Sequence, residues 1–177
     1  MAGTQMGPVV VFGGSGFVGR HIVRRLAKDG FKLRIVMRRP NEALFLKTAG
    51  RTGQIELVQG NIRDEASSRA VLRGASAVIN AVGILYETGP QKFDAVHSAG
   101  VARLATLAAE QGIDRFIQIS AIGADAASAS AYARSKAEGE AAILAACPQA
   151  HVLRPSIVVG PEDDFFNRFA RMAQVSP

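Results

Sequence analysis

Short apolar runs alternate along the chain with longer stretches in which apolar residues recur at helical spacing. The first run, residues 8–12, is continuously apolar and is followed by glycines. This pattern is typical of a strand that is buried on both faces of a parallel sheet. An amphipathic stretch follows from about Gly16 to Asp29, and Gly30 predicts its end. The pattern repeats, with further helices at about 92–111 and 130–146, so the sequence predicts six strands, at 8–12, 33–37, 55–58, 77–80, 115–119 and 151–153.

Strands that alternate with helices in this way form right-handed βαβ units around a parallel sheet. We therefore predict an α/β fold, a doubly wound parallel sheet with strand order 3-2-1-4-5-6, which binds its ligand at the carboxyl ends of the strands. Residues 1–160 are expected to form this domain, and residues 161–177 the start of a C-terminal segment.

The C-terminal segment carries Phe165, Phe166 and Phe169 on one face of a predicted helix. Little else in the sequence could cover this face, and an exposed apolar face implies a partner or a further domain. We expect a truncated chain, and a self-sufficient short form that docks on a partner is the alternative.

A glycine-rich loop joins the first predicted strand to the first predicted helix. Gly13, Gly16 and Gly19 form a GxxGxxG pattern, which lets the backbone approach a ligand closely and lets helix and strand pack tightly. The helix N-terminus then offers unpaired N–H groups to a pyrophosphate. In this position the loop predicts a Rossmann-type dinucleotide site rather than a purely structural turn.

The end of the second strand indicates which dinucleotide is bound. An NAD site usually has a carboxylate there for the ribose 2′-hydroxyl, whereas this strand ends in Arg38 and Arg39 and has no acid between Asp29 and Glu42. Two guanidinium groups suit a 2′-phosphate. The sequence therefore favours NADP(H) over NAD(H), and two exposed arginines without a ligand are the alternative.

Charge and composition narrow the classes of function. The net charge is +6, and residues 1–40 hold eight basic side chains against one acid, so the excess is local and favours an anionic ligand or partner over nucleic acid. Arg20, Arg24 and Lys28 form one helical stripe, either a solvated face or a docking face for acidic protein or lipid headgroups. A single cysteine and three scattered histidines predict no disulfide and no metal site. No apolar run reaches the roughly 18 residues of a transmembrane helix.

Further motifs resemble the short-chain dehydrogenase/reductase superfamily, in its extended or atypical branch. They are Asn61-Ile-Arg-Asp64 after the third strand, Asn80-Ala-Val-Gly83 after the fourth, Tyr132-Ala-Arg-Ser-Lys136, and Arg154-Pro-Ser156 after the sixth. The resemblance implies that the C-terminal substrate domain of the extended branch is largely absent here. Together with the glycine loop and the arginines, it implies a cofactor-binding set of Gly13, Ser15, Gly16, Phe17, Val18, Gly19, Arg38, Arg39, Asn61, Ile62, Asp64, Ala81, Val82, Gly83, Tyr132, Lys136 and Pro155.

The same resemblance implies a catalytic group of Tyr132, Lys136 and Ser120. In active members the lysine lowers the tyrosine pKa and grips the ribose, and the tyrosine relays a proton during hydride transfer. Two departures weaken this implication. The positions after Ser120 carry no second hydroxyl, and His97 stands where many relatives have an asparagine.

Two stretches, 120–125 and 160–169, narrow the resemblance to the NADPH-binding accessory subunit family of respiratory complex I, the NADH:ubiquinone oxidoreductase, and its bacterial relatives. That resemblance implies a structural rather than catalytic role, with other subunits as partners. It also implies a cytoplasmic protein, peripheral to the inner membrane at most, on its cytoplasmic face. The alternatives are an NAD(P)-dependent oxidoreductase or epimerase acting on a nucleotide-sugar or carbonyl substrate, and a redox-sensing regulator.

Overall fold

A computed structural model describes residues 7–163 and 165–175 of the chain. Six parallel strands form one sheet in the order 3-2-1-4-5-6, which confirms the predicted α/β Rossmann-type topology. The strands are β1 (Val9–Phe12), β2 (Leu33–Met37), β3 (Ile55–Gln59), β4 (Ala77–Asn80), β5 (Phe116–Ile119) and β6 (His151–Leu153).

Five α-helices connect or follow the strands. They are α1 (Phe17–Lys28), α2 (Glu65–Leu72), α3 (Ala99–Glu110), α4 (Ala131–Ala146) and α5 (Phe165–Val175). Gly30, with a φ of 89°, follows α1 where the sequence predicts the helix to end. None of the helices within the described residues is both long and apolar enough to cross a membrane.

The core lies in two layers, one on each face of the sheet. Successive side chains of a strand point to opposite faces. Val10 and Phe12 of β1 accordingly join the layer that α3 and α4 complete, and Val9 and Val11 join the layer that α1 completes. All four side chains are buried, which explains why β1 is a continuous apolar run.

Two helical segments depart from regular α-helical geometry. The segment after β2 is a 3₁₀ helix over Pro40–Ala49, interrupted at Ala43, where φ is −121°. The long helix predicted at 92–111 begins as a π-helical turn, Asp94–Ser98, before α3. The wide turn carries His97, which is buried and hydrogen-bonded to neighbouring segments.

The C-terminal segment folds back toward α1 and then continues as α5. Asp163 begins α5, since its Oδ1 accepts the backbone N–H of Phe166. Phe166 and Phe169 are 44% and 55% exposed, while the side chain of Phe165 lies outside the described part of the structure. The division of the chain at residue 160 stays a prediction.

Candidate functional site

A cleft opens where the carboxyl ends of β1, β2, β3 and β4 meet. Its volume is about 240 Å³. The sheet order reverses direction between β1 and β4, and such a switch point leaves a crevice between the connecting loops. The residues that line it are Phe12, Gly13, Ser15, Gly16, Val36, Met37, Arg38, Gly60, Asn61, Ile62, Ala81, Val82, Gly83, Ile84 and Gln91.

The turn after β1 leaves no room for side chains. Gly13 has a φ of 75°, and a Cβ added there would lie 2.8 Å from the carbonyl carbon of Ala81. A Cβ on Gly19 would lie 2.1 Å from the carbonyl oxygen of Gly13. The spacing of these glycines therefore brings α1, β1 and the turn after β4 into direct backbone contact.

The N-terminus of α1 faces this turn without a capping side chain. Gly16 precedes the helix and makes no side-chain cap hydrogen bond, and the first turn contains no acid. The first N–H groups of a helix have no partner within the helix and carry partial positive charge. The turn and the helix end together form a concave backbone surface suited to an anion.

A second, polar pocket of about 290 Å³ adjoins the cleft beyond β2. Arg38 lines both spaces, and the side-chain amide of Gln91 faces its guanidinium group. Arg39 lines only the polar pocket, and its Nη1 lies 2.9 Å from Oε1 of Glu42. The two predicted arginines thus differ, because one faces the cleft and the other is paired with a carboxylate.

The loop after β3 supplies Asn61 and Ile62 to the cleft, but not Asp64. The carboxylate of Asp64 instead caps α2, with Oδ1 accepting the backbone N–H of Ser67 at 2.8 Å. That hydrogen bond from Ser67 lowers the pKa of Asp64. The carboxylate of Asp64 is therefore engaged with α2, and its predicted role in binding the cofactor stays a prediction.

The turn after β4 is held by the side chain that begins it. Asn80 is buried, its Nδ2 donates to Gln118 Oε1 at 2.8 Å, and its Oδ1 accepts the N–H of Val82 at 3.1 Å. Ala81, Val82 and Gly83 therefore follow one fixed path along the cleft wall.

His97 supports the same wall from behind. The N–H of Ile84 donates to His97 Nε2 at 3.0 Å, so in the neutral ring Nδ1 carries the proton and donates to Ser135 Oγ at 3.2 Å. Burial lowers the pKa of His97 to about 3, and the charge of Lys136 acts in the same direction. The imidazole is neutral and has both nitrogens engaged.

The predicted Tyr132 and Lys136 lie next to each other on α4. Lys136 is buried, its Nζ lies 5.8 Å from the centroid of the Tyr132 ring, and a Cβ on Gly83 would be 3.5 Å from that Nζ. Burial lowers the pKa of Lys136 to about 8, although Glu140 opposes the change. The ammonium therefore reaches the cleft wall at Gly83.

Tyr132 is held between two rings. Its centroid lies 5.6 Å from that of Phe93 and 5.4 Å from that of His97, both in edge-to-face geometry. Burial raises the pKa of Tyr132. Ser120, the third residue of the predicted catalytic group, directly follows β5 and is buried. Its Oγ has no hydrogen-bond partner in the described structure.

Phe17, Val18 and Pro155 also lie outside the cleft lining. Phe17 and Val18 line a separate apolar groove of about 490 Å³, between α1 and residues 158–161. Pro155 lines neither the cleft nor the polar pocket, and its carbonyl oxygen accepts the N–H of Ile122 at 2.9 Å. Only the backbone N–H groups of Phe17 and Val18 lie at the helix end that faces the glycine turn.

Several residues that line the cleft or the polar pocket are not among those predicted from the sequence, and Gln91 and Arg20 are two of them. Gln91 lies in a long loop without a recognisable pattern. Gly14 was not predicted either, and it lines neither space, but a Cβ there would be 2.5 Å from Ile35 Cγ2. Arg20 is part of the basic stripe, but it lines the polar pocket. Its position directly after Gly19, at the end of the glycine pattern, is the feature of the sequence that could have indicated a place near the nucleotide site. Arg24 of the same stripe pairs with Glu162.

Within the described residues, no three His, Cys, Asp or Glu side chains come together as a metal site. The described clefts offer backbone N–H groups and cations instead, and these are groups that bind phosphates.

The chain is similar in sequence to known proteins and similar in fold to solved structures. A family model described as NAD(P)H-binding matches residues 13–157. The chain is 39% identical over 159 residues to the mitochondrial NADH dehydrogenase (ubiquinone) 1 alpha subcomplex subunit 9 of Arabidopsis thaliana, covering 89% of this chain and 40% of that protein. It is 34% identical over 177 residues to a ceramide reductase of Caulobacter vibrioides, covering 100% of this chain and 54% of that protein. The chain thus spans about half the length of these relatives.

Among solved structures, a putative NAD-dependent epimerase/dehydratase from Bacillus halodurans matches with a TM-score of 0.76 and 22% identity. The match covers 89% of this chain and 74% of that one. This likeness shows the fold.

Proposed function

The chain belongs to the NAD(P)H-binding family, and from this premise we propose that its cleft holds NADP(H) in a structural subunit of respiratory NADH:ubiquinone oxidoreductase. The observation that carries the nucleotide part is the backbone cradle, in which Gly13 leaves less than 3 Å for a Cβ beside an uncapped helix N-terminus. The pyrophosphate would lie against Gly13, Ser15 and Gly16, and the N–H groups of Phe17 and Val18 would face it.

We assign the adenosine end of the dinucleotide to the arginine-lined side of the cleft, because a 2′-phosphate is negatively charged. Arg38 lines both the cleft and the polar pocket, so its guanidinium can reach a 2′-phosphate there. Glu42 is the carboxylate nearest in sequence to the end of β2, and it is paired with Arg39 rather than directed to the cleft. Asn61 and Ile62 would border the adenine. A pocket lined by three arginines, in which the carboxylate of Glu42 is paired with Arg39, supports NADP(H) over NAD(H).

Lys136 is assigned to the ribose at the other end of the cleft. Its ammonium lies behind Gly83, and Ala81 and Val82 form the wall beside it. A bound nicotinamide would supply hydride chemistry at this end.

The tyrosine is less well prepared for catalysis than an active enzyme requires. A proton relay needs a phenol whose pKa the lysine lowers. Burial instead raises the pKa of Tyr132, and the Nζ of Lys136 lies 5.8 Å from the centroid of the tyrosine ring. These features support a nucleotide that is held rather than turned over.

The subunit assignment rests on likeness to named complex I subunits. Proteins of that name from plant, slime mould and mouse, and a 40 kDa subunit of the Neurospora crassa oxidoreductase, are 32–39% identical to this chain. We propose that this chain likewise has other subunits of the respiratory complex as partners, and that it lies peripherally at the cytoplasmic face of the inner membrane.

A reductase acting on a carbonyl substrate is the second candidate. Two observations favour it. The likeness to a ceramide reductase extends over the whole chain, and Ser120 presents a buried hydroxyl to which none of the described residues forms a hydrogen bond. A substrate oxygen could be the missing partner of that hydroxyl.

One experiment separates the two candidates. The protein is isolated natively from membranes, the co-purifying proteins are identified, and the strain is rebuilt with Tyr132→Phe. The subunit proposal predicts co-purification with the respiratory complex and unchanged complex assembly in the variant. Isolation as a free protein, with loss of a reductase activity in the variant, would support the second candidate.

A further inference from the structure

Arg20 is the most constrained cation at the polar pocket beyond β2. Its Nη2 donates to the carbonyl oxygen of Ser15 at 3.1 Å and its Nε to that of Gly16 at 3.3 Å. Its guanidinium carbon lies 5.0 Å from the centroid of the Phe45 ring. Three contacts on one planar group fix its orientation, whereas Arg38 and Arg39 are exposed.

The remaining edge of this guanidinium is only loosely engaged. Nη1 of Arg20 lies 3.7 Å from Oε1 of Glu162, beyond the length of a charge-assisted hydrogen bond. Glu162 has closer partners on the same helix, His21 at 3.0 Å and Arg24 at 3.4 Å. Arg20 can therefore exchange its distant carboxylate for a nearer anion at little cost.

The pocket places that anion between Arg20 and Arg38. Both side chains line the same space of about 290 Å³, and Ser15 and Arg38 also line the cleft. Arg39 and Glu42 line this space too and are paired with each other. Besides that pair the pocket contains two cations, Arg20 and Arg38, and the protein holds Arg20 in a fixed position.

We infer that Arg20 is a specificity-determining residue that binds the 2′-phosphate of NADP(H), and that Glu162 competes with this phosphate for it. The inference rests on the proposed NADP(H) site and extends it to a residue outside the strand that usually selects between the dinucleotides. It also couples the nucleotide to residues 160–163, the segment that leads into α5 through the cap at Asp163.

The test measures dissociation constants for NADPH and NADH by isothermal titration calorimetry on the full chain. Arg20→Gln should weaken NADPH binding about tenfold and NADH binding by less than about twofold, since only NADPH carries the phosphate. Arg24→Gln is the matched control. It removes an equal charge one helical turn away, and Arg24 also pairs with Glu162 but does not line the pocket. It should change neither constant by more than about twofold.

Glu162→Gln supplies a second readout. Removing the competitor should tighten NADPH binding about twofold to threefold in the wild-type background and leave it unchanged in the Arg20→Gln background. NADH binding should not respond in either background.

Each outcome has one meaning. If Arg20→Gln weakens both dinucleotides equally, Arg20 only supports the glycine turn through Ser15 and Gly16, and the inference is wrong. It is equally wrong if the variant changes neither constant while the wild type prefers NADPH. A wild-type chain that binds no dinucleotide, or binds both equally, would instead refute the proposed cofactor preference.

Discussion

The two ends of the cleft are built from different parts of the chain. At the glycine end, between β1 and α1, the surface is backbone, and the closest contacts are those that a Cβ would fill. At the tyrosine end, His97, Tyr132 and Lys136 form a packed group of side chains whose charges are adjusted by burial. At Gly13 and Gly19 the first end has no room for a Cβ. The second end depends on the protonation states of its side chains.

This difference predicts steric failure at the glycine end, and the largest effect of all. Gly13→Ala forces a Cβ to within 3 Å of Ala81 and Val82 at a φ of 75°, so we expect dinucleotide affinity to fall by more than about a hundredfold, with a lower melting temperature. Gly53→Ala is the control, because its φ is 77° but its Cβ would meet nothing within 4 Å. It should cost stability and leave binding intact. Equal binding loss in both variants would show that strain, and not the close approach, matters.

At the tyrosine end, we expect that removing the charge of Lys136 increases the stability of the protein and weakens its binding of the dinucleotide. Burial lowers the pKa of Lys136 to about 8 from an ordinary 10.5, so folding is penalised below pH 8, and the penalty disappears as the pH rises toward 10.5. Lys136→Met should stabilise the nucleotide-free protein by about 2 kcal/mol at pH 7. The same change should weaken dinucleotide binding about thirtyfold, because it removes the ammonium that we propose contacts the ribose.

Urea unfolding at pH 7 and pH 10, with titration calorimetry, measures both effects. The stability gain should be smaller at pH 10 than at pH 7. A variant that is less stable at pH 7 yet binds normally would mean that Lys136 is a packing residue.

The arginines at the end of β2 should differ from each other. Arg38 lines the cleft and Arg39 is paired with Glu42, so Arg38→Ala should weaken NADPH binding about tenfold and Arg39→Ala by less than about threefold. NADH binding should change little in either variant. Competition between the two dinucleotides measures the ratio, and a larger effect at Arg39 would reverse the assignment.

His97 predicts a change in pH dependence rather than in affinity. The native ring stays neutral down to about pH 3, whereas the unfolded chain takes up a proton near pH 6.5, so stability falls as the pH decreases through this window. In His97→Gln the unfolding free energy should depend less steeply on pH over this window, because the unfolded chain no longer takes up a proton at this position. Unfolding free energies between pH 4 and pH 7 test it, and identical slopes would contradict a neutral buried ring.

Tyr132→Phe should have the smallest effect. The phenol ring packs through its edge contacts with Phe93 and His97, and phenylalanine preserves them. Dinucleotide affinity should change by less than about twofold. Fluorescence titration of NADPH measures it, and a large loss would show that the hydroxyl binds the nucleotide.

The sequence predicted the glycine end well because its signal is local. The glycine spacing can be read in seven consecutive residues, and the alternation of strands and helices predicts a parallel sheet, although Gly13 also approaches Ala81, far along the chain. Asp64 caps α2 through the backbone N–H of Ser67, a local contact that the sequence analysis did not consider. The surroundings of Arg20 depend on distant contacts, since only the folded chain brings Phe45 and Glu162 near it. His97 could be located from the sequence, but its lowered pKa comes from burial and, to a lesser degree, from the charge of Lys136, and both arise only in the folded chain.

A crystal structure of the chain grown with saturating NADPH tests the central claim most directly. The account predicts the pyrophosphate against Gly13–Gly16 at the N-terminus of α1, and the 2′-phosphate between Arg20 and Arg38. A cleft that stays empty or closed at saturating NADPH, or a dinucleotide whose adenosine end points away from these arginines, would contradict it.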